Sequence, residues 1–144
     1  MTLKIRPAHV FLLVSMGLFA LSLTQPVFVC HYKGLSWKGL EVLVLGWLAL
    51  ISLDPRWFAN AALAYLWWWL LGPAARPFPL KSSVFILLAA LSAPLIPSPV
   101  GCPGMDTPTA ASALAAGGYL WSAALVVAVI GAFVARDLKR LADS

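Results

Sequence analysis

The stretch LEVLVLGWLALISLDPRWFAN (residues 40–60) decides the fold. Its first part, residues 40–53, is an almost unbroken apolar run, and its second part carries an acid, a proline, an arginine, a tryptophan and an asparagine. A helix over the run would be ~21 Å long at ~1.5 Å per residue, which is shorter than the ~30 Å hydrocarbon core of a bilayer. Such runs are typical of interfacial or re-entrant helices. Glu41 favours the same interpretation, because an acid at mid-bilayer costs several kcal/mol.

The composition makes a bilayer the natural solvent of this chain. Of its 144 residues, 62% are hydrophobic and 10% are charged, which is too apolar for a soluble domain of this size. We therefore expect one membrane-embedded domain over residues 1–144, with the lipid bilayer as its first partner. The net charge of +5 comes from basic residues at the ends of apolar segments, where they contact anionic lipid, so nucleic acid is not expected as a partner.

The ten basic residues distinguish between four and five crossings, because Lys and Arg are enriched in cytoplasmic loops. With a cytoplasmic N-terminus, five crossings would leave three of them inside and seven outside. Four crossings, at residues 7–25, 55–72, 82–97 and 117–135, leave seven inside and three outside. The sequence therefore predicts an all-α membrane protein with four transmembrane helices, an outer-side interfacial or re-entrant helix at residues 40–53, and both termini in the cytoplasm. A tilted five-crossing bundle remains the alternative.

Both cysteines, Cys30 and Cys102, then lie on the outer side of the membrane. That side of a bacterial inner membrane is oxidising. The charge count did not use the cysteines, so their position supports four crossings independently. A Cys30–Cys102 disulfide would join the first outer loop to the second, and two unpaired thiols are the alternative.

The residues after the short helix form a corner where the chain turns into the membrane. Asp54 and Pro55 suit the N-cap and first position of the second span, since an acid stabilises the N–H-rich end of a helix and proline has no N–H to leave unpaired. Arg56 and Trp57 are expected to anchor in the headgroups. Asn60, about one turn further, points a polar group into the bundle, where an amide hydrogen bond is worth ~1 kcal/mol.

Aromatic residues complete the candidate contacts, because Trp and Tyr favour both membrane interfaces. An inner belt is expected from residues 67–69, and an outer belt from Trp37, Trp47, Trp57, Tyr119 and Trp121. The candidate structural or partner contacts are therefore Asp54, Arg56, Trp57, Asn60, Trp47, Tyr119 and Trp121. In the last span, small residues recur at a spacing that lets two helices approach closely, which favours a packing face within the bundle over a dimer face: Ala124, Ala128 and Ala132.

The sequence offers no set of residues for catalysis, metal binding or a cofactor. Of its five acids, only Glu41 and Asp54 could share a site, and they would lie at opposite ends of one short helix. Cys30 and His31 are too few for a metal site, which needs three or four ligands, and there is no glycine-rich phosphate loop. We therefore predict no catalytic, cofactor-binding or metal residues, and a protein that is not an enzyme.

Three short elements resemble those of a loose group of small, uncharacterised bacterial polytopic inner-membrane proteins. Residues 46–48 match a Gly-Trp-Leu element. Trp57, Ala59 and Asn60 match Trp-x-Ala-Asn, with alanine at the next position where the group usually has proline. Residues 118–121 match a Gly-Tyr-x-Leu-Trp element that opens the last span. The resemblance implies a location in a bacterial inner membrane and implies no chemistry.

These features together favour a binding role. With no catalytic set and no charged path through the predicted spans, we expect a non-enzymatic protein that acts by contact with a membrane-associated protein partner. It would be an accessory subunit of a larger complex or an immunity protein against a membrane-directed toxin. The alternative is a small homo-oligomeric channel or transporter that uses Asn60, Tyr65 and Ser92 along a polar path.

Overall fold

The computed structural model describes residues 7–30, 36–45, 55–72, 77–95 and 112–142, and most of them are helical. Five α-helices lie in these ranges: α1 (Pro7–Thr24), α2 (Gly39–Leu45), α3 (Phe58–Leu71), α4 (Leu80–Ser92) and α5 (Ala116–Ala142). A 3₁₀ turn, Pro55–Trp57, leads into α3. The same ranges contain three short strands that were not expected from the sequence: β1 (Pro26–Cys30), β2 (Ser36–Lys38) and β3 (Ser112–Leu114).

Two of the helices are long and apolar enough to cross a membrane, namely α1 and the Ala116–Leu138 part of α5. They coincide with the first and last predicted spans. Helices α3 and α4, in the predicted spans 55–72 and 82–97, have 14 and 13 residues. Both are shorter than the ~30 Å hydrocarbon core requires, so among the described residues only the first and last predicted spans are matched by helices of crossing length. Of the short helix predicted at residues 40–53, α2 describes the first part, while residues 46–54, with Trp47 and Asp54, lie outside the described residues.

Helices α1 and α5 pack antiparallel along most of their length. Near the start of α1, Phe11 lies so close to Gly131 of α5 that a Cβ on the glycine would overlap the side chain of Phe11. Further along α1, Ser15 donates a hydrogen bond to the carbonyl oxygen of Ala124. The end of α1 meets Gly117 in the first turn of α5. The order of these contacts shows that the two chain directions are opposite.

Helix α3 runs in the same direction as α5 and therefore antiparallel to α1. At the start of α3, Asn60 hydrogen-bonds to Trp121 of α5. At its end, Trp69 packs on Phe78, whose ring contacts Phe133 further along α5. Because Phe78 lies just before α4, helix α4 begins where α3 ends and returns towards the other end of the bundle. The chain direction thus alternates in the order α1, α3, α4, α5.

The bundle therefore has two distinct ends. We call the end that carries the three strands, α2 and the 3₁₀ turn the sheet end. It also contains the end of α1 and the starts of α3 and α5. We call the other end the hairpin end, because α3 is joined to α4 there. It contains the start of α1 and the last part of α5.

The three strands form an antiparallel sheet in the order β2-β1-β3. Pro26 has no N–H to continue α1, and the β-branched and aromatic residues that follow it favour a strand. In the sheet, Phe28 pairs with Trp37 of β2 on one side and with Leu114 of β3 on the other. The amide of Ala115 extends the pairing by donating to the carbonyl oxygen of Val27 at 2.8 Å. The sheet thus ties the segment before α5 to the end of α1.

Two glycines allow the backbone to close around the C-terminal end of α1. The amide of Gly39 donates to the carbonyl oxygen of Gln25 at 3.0 Å, and a Cβ on Gly39 would overlap the carbonyl oxygen of Ser22. A Cβ on Gly117 would lie 2.8 Å from the carbonyl oxygen of Gln25 and 2.9 Å from that of Pro26. Only a residue without a Cβ fits either position, so these glycines bring α2 and α5 against α1.

The core lies where α1, α3, α4 and α5 meet. Its largest fully buried apolar side chains are Leu63, Leu66, Ile86 and Leu125. The side of α5 that faces the other helices is lined by small residues of 0% exposure: Ala124, Ala128 and Ala132. These are the alanines whose spacing predicted a packing face, and the structure buries that face inside the bundle.

Replacing Gly117 with alanine tests the close approach at the end of α1. We expect Gly117→Ala to lower the free energy of unfolding by about 1–3 kcal/mol, because the new methyl group displaces backbone atoms that have little room to move. Gly17→Ala is the matched control, since a Cβ there has no neighbour within 4 Å, and it should raise stability by up to about 1 kcal/mol. Thermal unfolding of both variants in one detergent measures this, and equal stability changes would contradict the packing described.

Candidate functional site

The structure brings together two of the predicted contact residues, Asn60 and Trp121. The indole N–H of Trp121 donates to Oδ1 of Asn60 at 2.8 Å. Asn60 lies in the first turn of α3 and Trp121 in the second turn of α5, and both side chains are half-buried at the sheet end. The bond therefore holds the starts of α3 and α5 together. Beside it, the hydroxyl of Ser122 is buried and has no hydrogen-bond partner among the described residues.

Trp57 and Arg56 lie on the 3₁₀ turn, at the corner predicted from the sequence. The indole N–H of Trp57 donates to the carbonyl oxygen of Leu43 in α2 at 3.2 Å, and its ring makes an edge contact with Phe58. Arg56 is half-buried. This contact ties α2 to the start of α3, so the corner is held by a side chain as well as by the chain between them.

A second polar contact, deeper in the bundle, was not predicted as a pair. The indole N–H of Trp67 donates to the hydroxyl of Ser15 at 2.9 Å, and that hydroxyl donates to the carbonyl oxygen of Ala124 at 2.8 Å. Ser15 has 0% exposure, and Phe19 covers the indole edge-on. The two bonds link α3, α1 and α5. The sequence predicted Trp67, Trp68 and Trp69 in an interfacial belt. In the structure Trp68 is 54% exposed, whereas Trp67 is half-buried and Trp69 is buried.

The hairpin end carries an aromatic cluster around a cation. The guanidinium carbon of Arg136 lies 4.9 Å from the ring centroids of both Phe78 and Phe133, and Nε of Arg136 lies 3.2 Å from the carboxylate of Asp137. Trp69 donates from its indole to the carbonyl oxygen of Pro77 at 2.9 Å. Cation–π contacts of this kind stabilise the end of α5 against the start of α4.

The sheet end exposes apolar side chains next to charged ones. On α2, Leu40 and Val44 lie one turn apart and are 56% and 59% exposed, and Tyr119 of α5 is 57% exposed. Lys38 and Glu41 are exposed at the start of α2. Oε2 of Glu41 accepts a hydrogen bond from the backbone N–H of Lys38 at 2.9 Å, which caps the start of α2. We call these five residues the sheet-end surface.

Three predicted features lie partly or wholly outside the described residues. They are Trp47, Asp54 and the Cys30–Cys102 disulfide, of which Cys102 lies outside. Cys30 ends β1, where its backbone pairs with Ser112 of β3. Cys102 comes ten residues before Ser112 in the sequence. The Cys30–Cys102 disulfide stays a prediction.

The chemistry of these residues suits recognition and helix packing. Within the described ranges, no group of three His, Cys, Asp or Glu side chains could hold a metal ion. Bonds between helices use the indole N–H groups of Trp67 and Trp121, the amide oxygen of Asn60 and the hydroxyl of Ser15. The side chains that remain accessible at the sheet end are apolar, charged or neutral polar groups, the last including Thr24, Gln25 and Ser36.

Comparison of the chain with protein-family models, with curated proteins and with solved structures gives no match. The resemblance to small bacterial inner-membrane proteins therefore stays a prediction from three short elements. The case for a function depends on the geometry of the two ends of the bundle and on the faces of its helices.

A double-mutant cycle measures the bond between Asn60 and Trp121. Asn60→Leu, Trp121→Phe and the double variant should show a coupling free energy of about 0.6–1.7 kcal/mol, the range for hydrogen bonds between helices in a bilayer. Reversible unfolding in mixed micelles supplies the values. The same cycle on Asn60 and Trp67, which do not hydrogen-bond to each other, should give a coupling near zero. Equal couplings in the two cycles would contradict the assignment.

Proposed function

We propose that this chain is a multi-pass protein of a bacterial inner membrane, in which α1, α3, α4 and α5 cross the bilayer. The alternation of chain direction supports this arrangement. If residues 40–53 also crossed, α3 would run parallel to α1, whereas the two helices are antiparallel. A chain that leaves α1, forms the sheet and α2, and re-enters through α3 from the same side accounts for this direction.

The exposed surface of the bundle supports contact with lipid. Only 17% of the apolar window in α1 and 39% of that in α5 are buried inside the structure, whereas the core helix of a soluble protein is mostly buried. The large exposed side chains of α1 between Val10 and Leu21 are aliphatic or thioether groups. A surface of this kind is stable against hydrocarbon and costly in water.

The distribution of charge supports an orientation with the hairpin end in the cytoplasm. Lys81 and Arg136 lie at this end of the described structure, and the sequence places Arg76, Lys139 and Arg140 in segments attached to it. An excess of Lys and Arg is the usual mark of the cytoplasmic side. In this orientation the sheet end faces outwards, as does β1, which ends at Cys30.

Single cysteines distinguish four crossings from five. In a Cys30→Ser, Cys102→Ser background, Pro55→Cys should react with a membrane-impermeant maleimide added to intact cells, and Lys81→Cys should react only after the cells are opened. Both positions are exposed, so each reaction reports the side of the membrane. Five crossings predict the reverse result at both positions, and that outcome would overturn the proposal.

We propose further that the sheet-end surface binds another membrane-associated protein, as an accessory subunit or an immunity protein does. The observation that carries this is the set of exposed apolar groups, Leu40, Val44 and Tyr119, beside Lys38 and Glu41. Exposed apolar patches rimmed by polar residues are typical of interaction sites. The close backbone contacts at Gly39 and Gly117 hold this surface in one shape, which lowers the entropy cost of binding. No enzymatic step is part of the proposal.

The pairing of most interior polar groups favours binding over transport, with the hydroxyl of Ser122 as the exception among the described residues. A channel through one copy would use Asn60 and the hydroxyl groups along a hydrated path. Instead, Asn60 accepts from Trp121, Ser15 is bonded to Trp67 and Ala124, and Ser92 donates to the carbonyl oxygen of Ala89 in its own helix at 3.0 Å. Opening such a path would break bonds that stabilise the bundle.

Site-specific photo-crosslinking tests the binding surface. A benzoylphenylalanine at position 119, replacing Tyr119, should form a defined adduct with one membrane-associated protein in cells. The same photoreactive group in place of Leu88, which is 62% exposed on the outer face of α4, should crosslink only to lipid. Val44→Asp should abolish the adduct at position 119. Identical products at both positions, or none at position 119, would refute the proposed surface.

A further inference from the structure

The outer face of α3 differs chemically from the outer faces of α1 and α4. The large exposed side chains of α4 are aliphatic, as are those of α1 apart from one methionine: Leu80, Val84, Leu87, Leu88 and Leu91 in α4, and Val10, Leu13, Val14, Met16 and Leu21 in α1. In contrast, between the exposed Phe58 and Leu71 at its two ends, α3 exposes Tyr65 at 44% and Trp68 at 54%, with their rings stacked at 5.8 Å. Aliphatic groups suit lipid chains on every side, but a phenol hydroxyl does not.

The depth of Tyr65 makes its hydroxyl costly to leave in lipid. Tyr65 lies in the middle of Phe58–Leu71, about 10 Å from either end at 1.5 Å per residue. If α3 crosses the membrane, Tyr65 therefore has about 10 Å of hydrocarbon on each side, which a phenol is too short to span. No hydrogen bond to this hydroxyl is found among the described residues. A polar group in hydrocarbon without a partner costs several kcal/mol, so this face calls for a protein neighbour.

Small residues beside Tyr65 make room for such a neighbour. Ala61 and Ala64 are exposed on the same side of α3, one turn before Tyr65 and Trp68. Small side chains at this spacing let two helix backbones approach closely in a membrane. The comparable alanines of α5 are buried at 0% exposure inside the bundle, and so they cannot take part in contacts between copies.

We propose that the face formed by Ala61, Ala64, Tyr65 and Trp68 is a dimer interface, with α3 of one copy packed against α3 of a second copy. The proposal rests on the crossing of the membrane by α3 that is proposed above. A hydroxyl both donates and accepts, so two Tyr65 side chains can hydrogen-bond to each other. A two-fold axis along the membrane normal places both at the same depth. A second copy thus supplies a hydrogen-bond partner for the Tyr65 hydroxyl at mid-membrane. A different protein could replace it only if it also carried a polar group at that depth.

Energy transfer between labelled copies tests the dimer. Protein labelled at Lys81→Cys, in the Cys30→Ser, Cys102→Ser background, is reconstituted in vesicles of phosphatidylcholine and phosphatidylglycerol at several protein-to-lipid ratios. Tyr65→Phe should weaken the dimer about threefold, the effect of one average hydrogen bond between membrane helices. Ala61→Leu should weaken it about tenfold by preventing close approach. Two changes at exposed positions of α1, Thr24→Val as the loss of a hydroxyl and Ala20→Leu as the gain of bulk, should leave the dissociation constant unchanged.

Disulfide crosslinking supplies a second readout in the same vesicles. With copper phenanthroline as the oxidant, Ala61→Cys should form a covalent dimer and Leu88→Cys should not. Energy transfer no greater than that of randomly mixed monomers, or equal dissociation constants for the parent, Tyr65→Phe and Ala61→Leu, would overturn the dimer. The cysteine labelling at positions 55 and 81 tests the crossing separately. If α3 crosses the membrane and no dimer forms, the dimer is refuted and the proposed crossing stands. If α3 does not cross, the dimer loses its premise.

Discussion

Helix α1 is apolar on every side, and its packing against α5 is the contact on which the rest of the structure depends. Ser15 is the polar group that orients it, because its hydroxyl donates to the backbone of Ala124 and accepts from Trp67. A buried hydroxyl without these partners would be costly. One residue therefore selects the buried side of α1 and brings α3 to the same place. The starts of α3 and α5 are then held by Asn60 and Trp121.

The sheet end follows from the same packing. Once α1 lies antiparallel to α5, its last carbonyl groups point towards the start of α5, and Gly117 lets the two backbones meet. The segment after Pro26 then runs beside the segment before α5, and the two pair as strands. Gly39 brings α2 against the same helix end. A compact surface outside the proposed crossings is thus built mainly from backbone contacts, and its exposed side chains are available for a partner.

Much of the helical arrangement could be predicted, since long apolar runs have few stable alternatives in a bilayer. The spans expected at residues 7–25 and 117–135 correspond to helices α1 and α5, and the alanine face of α5 is buried as its spacing indicated. The corner at Arg56 and Trp57 also leads into a helix, because it forms the 3₁₀ turn that directly precedes α3. Asn60 was expected to point into the bundle, but its partner could not be named, because hydrogen-bond partners in different helices depend on rotation and register that α3 alone does not encode.

The amino-acid sequence by itself determined a chain of apolar helices with basic residues at their ends, because hydropathy and charge act through local composition. Only the tertiary structure decided which groups meet. The sheet pairs residues 28–30 with residues 112–114, and short strands so far apart in sequence leave no local periodic pattern. Trp67 enters the bundle instead of the interface because Ser15 lies opposite it, and Tyr65, two residues earlier, is left on the outer face. Such outcomes depend on which helix faces which, and that is settled by packing across the whole bundle.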